Sequence, residues 1–195
     1  MKKENKKEGN YKLCWKYLKE SKIYFLIIIL VLFFSILVGF FYPVFLIELI
    51  KKFIEEIIAK TQGMNFFQLF LFIFKNNFMT ALFGIILGVF FGIIPIVMVF
   101  FNGYVLGFVA GFSFREFGLI SLWRLLPHGI FEMPALILSL GLGLKLARFI
   151  FAEYGTKKQV LKYDLENSLR VFLFVILPLL LIAGLIETAL IFLLG

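Results

Sequence analysis

Uninterrupted apolar runs constrain this chain more than any other feature. Residues 23–47 carry no charged side chain, and residues 78–114 form a stretch of 37 residues without one. A membrane-spanning helix needs about 20 apolar residues, and inside a bilayer only helices and closed barrels satisfy every backbone amide. The chain is 62% hydrophobic, against about 45–50% in soluble domains. It is therefore predicted to be an all-α, polytopic transmembrane helical bundle.

About five spans are expected, within a single membrane domain over residues 23–195. One straight helix over 78–114 would be about 55 Å long, against a hydrocarbon core of about 30 Å. The stretch is therefore expected to break near Pro95 or near Asn102 and Gly103. Amphipathic or interfacial helices are expected near residues 48–74, because 48–62 shows helical periodicity and 66–74 is too short to span. The predicted spans are 23–47, 78–95, 97–114, 128–151 and 171–194.

Lysines set the expected orientation of the bundle. The net charge is +8, and residues 1–22, a basic amphipathic segment, hold eight lysines. Cytoplasmic segments of membrane proteins are enriched in Lys and Arg. With five spans, the two most basic segments, 1–22 and 145–170, both lie in the cytoplasm, and the C-terminus is external. The expected partners of these lysines are membrane lipids and not nucleic acid.

Two ladders of glycines at four-residue spacing lie in the long uncharged stretch. Small residues at this spacing let two helices approach closely. The ladders therefore predict helix packing, either within one chain or between copies in a homo-oligomer. Their members are Gly84, Gly88 and Gly92 in the first set and Gly103, Gly107 and Gly111 in the second.

His128 and Glu132 are the most unusual residues of the apolar region. His128 is the only histidine, and residues four apart share one face of a helix. Because ionisable groups near hydrocarbon cost at least about 2.5 kcal/mol each on insertion scales, the pair is a functional candidate. Three roles fit: a structural clasp between helices, a proton- or ion-responsive pair, or two ligands of a metal completed from elsewhere.

Pro134, Glu187 and Asn102 complete the candidate functional residues. Glu187 is an isolated carboxylate in the last span, expected either near the outer interface or paired with His128 or Arg124. Asn102 is suited to capping a helix or bridging two. No catalytic residue, resident metal or cofactor is assigned, because a zinc protease of the His-Glu-x-x-His type needs a second histidine. The chain is not expected to be an enzyme.

The polar residues of the second half resemble the stage II sporulation protein M family of integral membrane proteins. The resemblance runs from residue 76 to residue 194, and its most specific part is Leu126-Pro127-His128-Gly129-x-x-Glu132-x-Pro134-Ala135. It implies a multi-spanning helical protein without an established catalytic mechanism. In endospore-forming bacteria, the family member anchors partners that remodel peptidoglycan while the mother-cell membrane engulfs the forespore.

Two functions follow as hypotheses. The first is a membrane scaffold that holds itself or other membrane and envelope proteins together in a membrane-remodelling or envelope complex. The second is a small transporter or channel for an ion, small solute or lipid that uses His128 and Glu132, because discontinuous helices often line transport sites.

Overall fold

A computed structural model of the chain describes residues 9–120, 122 and 126–194, without the side chains of residues 45, 126–129 and 194. This part contains no strand, and five of its helices are long and apolar enough to cross a membrane. The predicted all-α, five-span architecture is confirmed. The α-helices are α1 Asn10–Glu20, α2 Lys22–Phe41, α3 Ile47–Thr61, α4 Phe66–Ile86, α5 Ile93–Phe117, α6 Leu126–Leu146, α7 Lys157–Val171 and α8 Leu177–Leu194.

The long uncharged stretch breaks earlier than predicted. The turn between α4 and α5 lies at Phe90–Gly92, where Phe91 and Gly92 have φ angles of 56° and 69°. Glycine adopts this left-handed conformation without steric cost. Pro95 lies in the first turn of α5, where backbone N–H groups have no intrahelical partner and proline is tolerated. Asn102 therefore lies inside a continuous helix, and the prediction of a break there was wrong.

Residues 66–74 do not form a separate interfacial or re-entrant helix. They are the first half of α4, whose start is fixed by a capping box: the side chain of Asn65 accepts from the backbone of Gln68, and the side chain of Gln68 accepts from the backbone of Asn65, both at 3.0 Å. The span consequently begins at residue 66, and not at 78. The predicted surface helix over 48–62 corresponds to α3.

The last span also begins before the predicted residue 171. Residues 157–193 form one continuous helical segment, in which a π-helical stretch, Phe172–Ile176, joins α7 to α8. Pro178 follows directly. Because proline lacks an N–H and clashes with the preceding turn, it perturbs the regular hydrogen-bond ladder at this point. The charged residues 157–170 are therefore part of a helix and not of a loop.

Helix α6 is the centre of the bundle. Of its span, 61% is buried, against 22–33% of each of the other four, and it packs on α2, α4, α5 and α8. Side chains on α6 are thus placed against several helices at once.

Glycines allow the backbones of neighbouring helices to come into direct contact. A methyl group on Gly88 would collide with the backbone of Gly143 on α6, and one on Gly107 of α5 would collide with the backbone of Ile36 on α2.

A buried polar cluster connects α1 to α7 at one end of the bundle. The hydroxyl of Tyr17 donates to a carboxylate oxygen of Asp164 at 3.1 Å, and Arg148 donates two hydrogen bonds to that carboxylate. Lys145, 1% exposed, donates to Ser21 at 2.9 Å and lies over the ring of Tyr17. Removal from water raises the pKa of the Tyr17 hydroxyl. The cluster keeps α1 docked through polar contacts between residues far apart in sequence.

The single cysteine provides a probe of this docking. Cys14 is 2% exposed on α1, and burial raises the pKa of its thiol. Because the thiolate is the reactive form, we expect maleimide labelling of the folded protein at neutral pH to be at least about 100-fold slower than labelling after denaturation. A variant with Cys14→Ala and Tyr154→Cys is the control, since Tyr154 is 97% exposed. Equal labelling rates at the two positions would show that α1 detaches in solution.

Candidate functional site

Three of the five predicted functional residues line one cavity. Asn102 of α5, Glu132 of α6 and Glu187 of α8 surround a space of about 210 Å³ inside the bundle. A single water molecule needs only about 10–15 Å³ by this kind of measure. Residues separated by up to 85 positions in the sequence are therefore brought to a space that admits a small molecule.

The cavity lies near the end of the bundle that carries α3. Glu132 is the seventh residue of α6, and Glu187 is seven residues before the end of α8, which places both about 10 Å from their helix ends at 1.5 Å per residue. Asn77, the twelfth residue of α4, lies about 17 Å from its helix start on the same basis. The polar lining is thus at the depth of the spanning helices and not at their tips.

Helix α4 contributes the polar residues that the sequence reading did not assign to a site. Asn76, Asn77 and Thr80 line the cavity, and Asn77 is only 9% exposed. A signal was present, because two adjacent amides within an apolar helix are costly unless they are satisfied. It was missed because the span was expected to begin at residue 78, which placed both amides outside the membrane.

Hydrogen bonds orient part of this lining. Asn102 donates from its amide nitrogen to the backbone oxygen of Met98 at 2.8 Å, and Asn76 donates to the amide oxygen of Asn77 at 3.4 Å. Asn102 therefore bonds to the backbone of its own helix. One carboxylate oxygen of Glu132 and one of Glu187 are shielded from solvent.

The amphipathic helix α3 covers the cavity from outside the bundle. Phe53 and Ile57 of α3 belong to the lining, and the ring of Phe53 meets that of Phe101 edge to face at 5.8 Å. Phe72, Leu136 and Leu180 add apolar walls. The cavity therefore combines carboxylates and amides with aromatic and aliphatic surface, the mixture typical of small-molecule sites.

The other two predicted residues do not join the described site. Pro134 is exposed on α6, away from the cavity lining. The side chain of His128 lies outside the described part of the chain, so its pairing with Glu132 stays a prediction. Within the described part, no three His, Cys, Asp or Glu side chains are grouped so that they could hold a metal ion.

Comparison with known sequences decides the family. The sequence model for Stage II sporulation protein M matches residues 23–190, which cover nearly all of the five spans and every residue that lines the cavity. The chain belongs to the stage II sporulation protein M family. In this stage II sporulation protein M family member, Glu132 lies on α6, the most buried of the five spans.

A relative of this family member occurs in an archaeon. Over 126 residues, or 62% of this chain, the sequence is 35% identical to an uncharacterised protein of Methanocaldococcus jannaschii, of which the match covers 54%. The chain thus spans about half the length of that relative. No solved structure matches the chain.

Proposed function

We propose that this stage II sporulation protein M family member is a membrane scaffold that holds partner membrane or envelope proteins, or further copies of itself, in an assembly. The observation that carries the proposal is the outer face of α2. Its inner face packs on α5 at Gly39, Gly103 and Gly107, yet only 22% of its span is buried. An apolar stripe at helical spacing remains exposed: Leu30, Phe33, Phe34, Leu37 and Phe41.

This stripe is well placed for helix association within a membrane. Leu30, Phe34, Leu37 and Phe41 recur every three or four residues, the spacing that places side chains on one face of a helix. The tightly packed inner face holds α2 in place, so the stripe is presented as a fixed surface. Van der Waals packing between helix surfaces is one of the contributions that drive helix association in membranes.

Photocrosslinking from α2 tests the scaffold role. We expect a photoreactive side chain at position 34 to yield discrete protein adducts in the native membrane, either a dimer of this chain or one defined partner. The control is position 182 on α8, since Ile182 is also an exposed apolar side chain of a span, at 44% against 60% for Phe34. Lipid adducts alone at position 34, or the same protein adducts from position 182, would contradict the proposal.

The orientation with a cytoplasmic N-terminus and an external C-terminus belongs to the same proposal. Basic residues support it, since α1 and the segment after α6 lie at the same end of the bundle. These two segments carry the largest excess of Lys and Arg, which is typical of the cytoplasmic side. In a Cys14→Ala background, Leu119→Cys, at a position 73% exposed, should react with an impermeant maleimide applied outside cells. Tyr154→Cys should react only after permeabilisation. The reverse pattern would invert the topology.

The cavity favours a second candidate function, the transport of a small solute or ion. Four spans contribute to its lining, as expected of a site between helices. The test is flux into proteoliposomes, with Glu132→Gln and Glu187→Gln as variants that conserve size. If the unaltered protein shows flux and both variants lose it while remaining folded, transport is favoured. If the unaltered protein shows no flux of any ion or small solute tested, the transport hypothesis is rejected and the scaffold role stands. We propose no catalytic activity for either function.

A further inference from the structure

We propose that a groove on the outer surface of α4 binds the phosphate of an anionic phospholipid, from the leaflet on the α3 side of the membrane. The α4 groove lies between the turn at residues 62–64 and residues 68–75 of the helix. The proposal concerns a lipid ligand and does not depend on the scaffold role. It rests on the depth of one lysine, on the side chains beside it and on the fixed geometry of the turn.

Lys75 carries a charge at the depth of the spanning helices. The α4 span, Phe66–Val89, has 24 residues and is about 36 Å long, against a hydrocarbon core of about 30 Å. Lys75 is the tenth residue of α4 and lies about 14 Å from the start of the helix. A lysine at this depth is unfavourable unless its ammonium reaches the interface or an anion.

The described part of the chain supplies no anion for this lysine. Lys75 is exposed on α4, and no described residue forms an ion pair or a hydrogen bond with its ammonium. The described residues that line the α4 groove include no carboxylate. The compensating negative charge therefore comes from outside the chain, and lipid phosphates are the anions that a bilayer places at the adjoining interface.

The side chains beside Lys75 suit a lipid headgroup and the start of its acyl chains. One face of α4 carries, at helical spacing, the lining residues Gln68, Leu71, Phe72 and Lys75. Helical side chains lean toward the N-terminus of their helix, so the ammonium is directed toward Gln68. The oxygen of Gln68 accepts from the backbone of Asn65, which leaves its amide N–H groups as donors. Phosphate oxygens accept from both groups, and the apolar side chains between them face the acyl chains.

The turn opposite α4 gives the groove a fixed wall. Gly63 has a φ angle of 79°, a conformation that glycine adopts without steric cost. The backbone of Gln62 donates to Ile58 at 2.9 Å, and that of Met64 donates to Thr61 at 3.2 Å. The capping box at the start of α4 follows directly. Because the groove is already formed, little ordering of the chain opposes binding.

The same features favour an anionic phospholipid over a zwitterionic one and over free phosphate. A zwitterionic headgroup brings a cation, which Lys75 repels and for which the described lining offers no carboxylate. Free phosphate brings no acyl chain to cover Leu71, which is 44% exposed. The volume of the groove, about 520 Å³, lies within the range of small-molecule clefts, about 300–1,000 Å³.

Titration of short-chain lipids into the purified full chain in a non-ionic detergent tests the ligand. Dioctanoyl phosphatidylglycerol, followed by native mass spectrometry and phosphorus NMR, should bind about fivefold or more tightly than dioctanoyl phosphatidylcholine. Inorganic phosphate at the same concentration should not bind measurably. Equal binding of the two lipids overturns the assignment, as does inorganic phosphate that binds as tightly as phosphatidylglycerol.

Variants locate the binding, because the basic segments of the chain also attract anionic lipids. Lys75→Gln should weaken phosphatidylglycerol binding by about tenfold, whereas Lys75→Arg should retain it, since a guanidinium also binds phosphate. The matched control is Lys162→Gln, which removes an exposed lysine of α7 at the opposite end and should leave the tight binding unchanged. Unchanged binding in Lys75→Gln, or an equal loss in Lys162→Gln, overturns the site. The lipid comparison on the unaltered protein decides the matter if a variant does not fold.

Discussion

Gly107→Ala is expected to destabilise the bundle by about 3 kcal/mol or more, the upper range for overpacked positions. The added methyl group would collide with the carbonyl oxygen of Ile36 and would lie 2.8 and 2.9 Å from its carbonyl carbon and Cα. All three atoms are backbone, so no side-chain rotation relieves the contact. The helices α2 and α5, which share the most extensive helix–helix contact of the described chain, would have to separate.

The measurement is reversible unfolding in mixed micelles, followed by circular dichroism and by the elution volume of the folded protein. The control is Gly155→Ala, because a methyl group at Gly155 meets no atom within 4 Å. A Gly107→Ala protein as stable as the Gly155→Ala protein would show that α2 and α5 are not in contact at this point.

Asp164→Asn should lower the free energy of unfolding by about 3 kcal/mol, the second large effect. The carboxylate of Asp164 is fully buried and accepts from Arg148 and Tyr17. Removing one member of a buried charge pair costs about 3–5 kcal/mol, because the other charge is left uncompensated. The lower end applies here, since the side chain of Arg148 is 40% exposed and water screens part of its charge.

The same variant should release α1, so its effect has a local signature. Cys14 should become reactive toward maleimide in Asp164→Asn under conditions in which it is protected in the unaltered protein. Glu166→Gln, two residues away on α7 and solvent-exposed, should change neither stability nor labelling, since exposed ion pairs contribute about 0–1 kcal/mol. A stable Asp164→Asn protein with protected Cys14 would refute the role of the cluster.

The fold class was predictable because long apolar runs leave a chain few alternatives in a bilayer. The boundaries of the spans were harder to predict, because polar residues were expected to end a helix. Lys75, Asn76 and Asn77 lie inside α4, and the charged residues after Lys157 continue into the last span. In both places, polar residues that a window of sequence assigns to loops continue a helix, and only some of them, such as Asn77 and Asp164, are buried by packing.

Individual residues of the candidate site could be predicted from the sequence, but their grouping into one site could not. Glu132 and Glu187 are conspicuous in the sequence because carboxylates are rare in apolar helices. Their meeting with Asn77 depends on how α4, α6 and α8 pack, and nothing in the local sequence around any of them encodes it. The covering role of Phe53 was equally hidden, since an aromatic residue on an amphipathic helix has no distinguishing pattern.

The contact between Tyr17 and Asp164 joins residues 147 positions apart, and this separation orders events during synthesis. Tyr17 has left the ribosome long before Asp164 is made, so the first helix must wait at the membrane without its partner. Contacts between residues so distant in sequence are slow to form, since a long loop must close first. The docking of α1 is therefore a late step of biogenesis, and a nascent chain that ends before Asp164 lacks the carboxylate on which this docking depends.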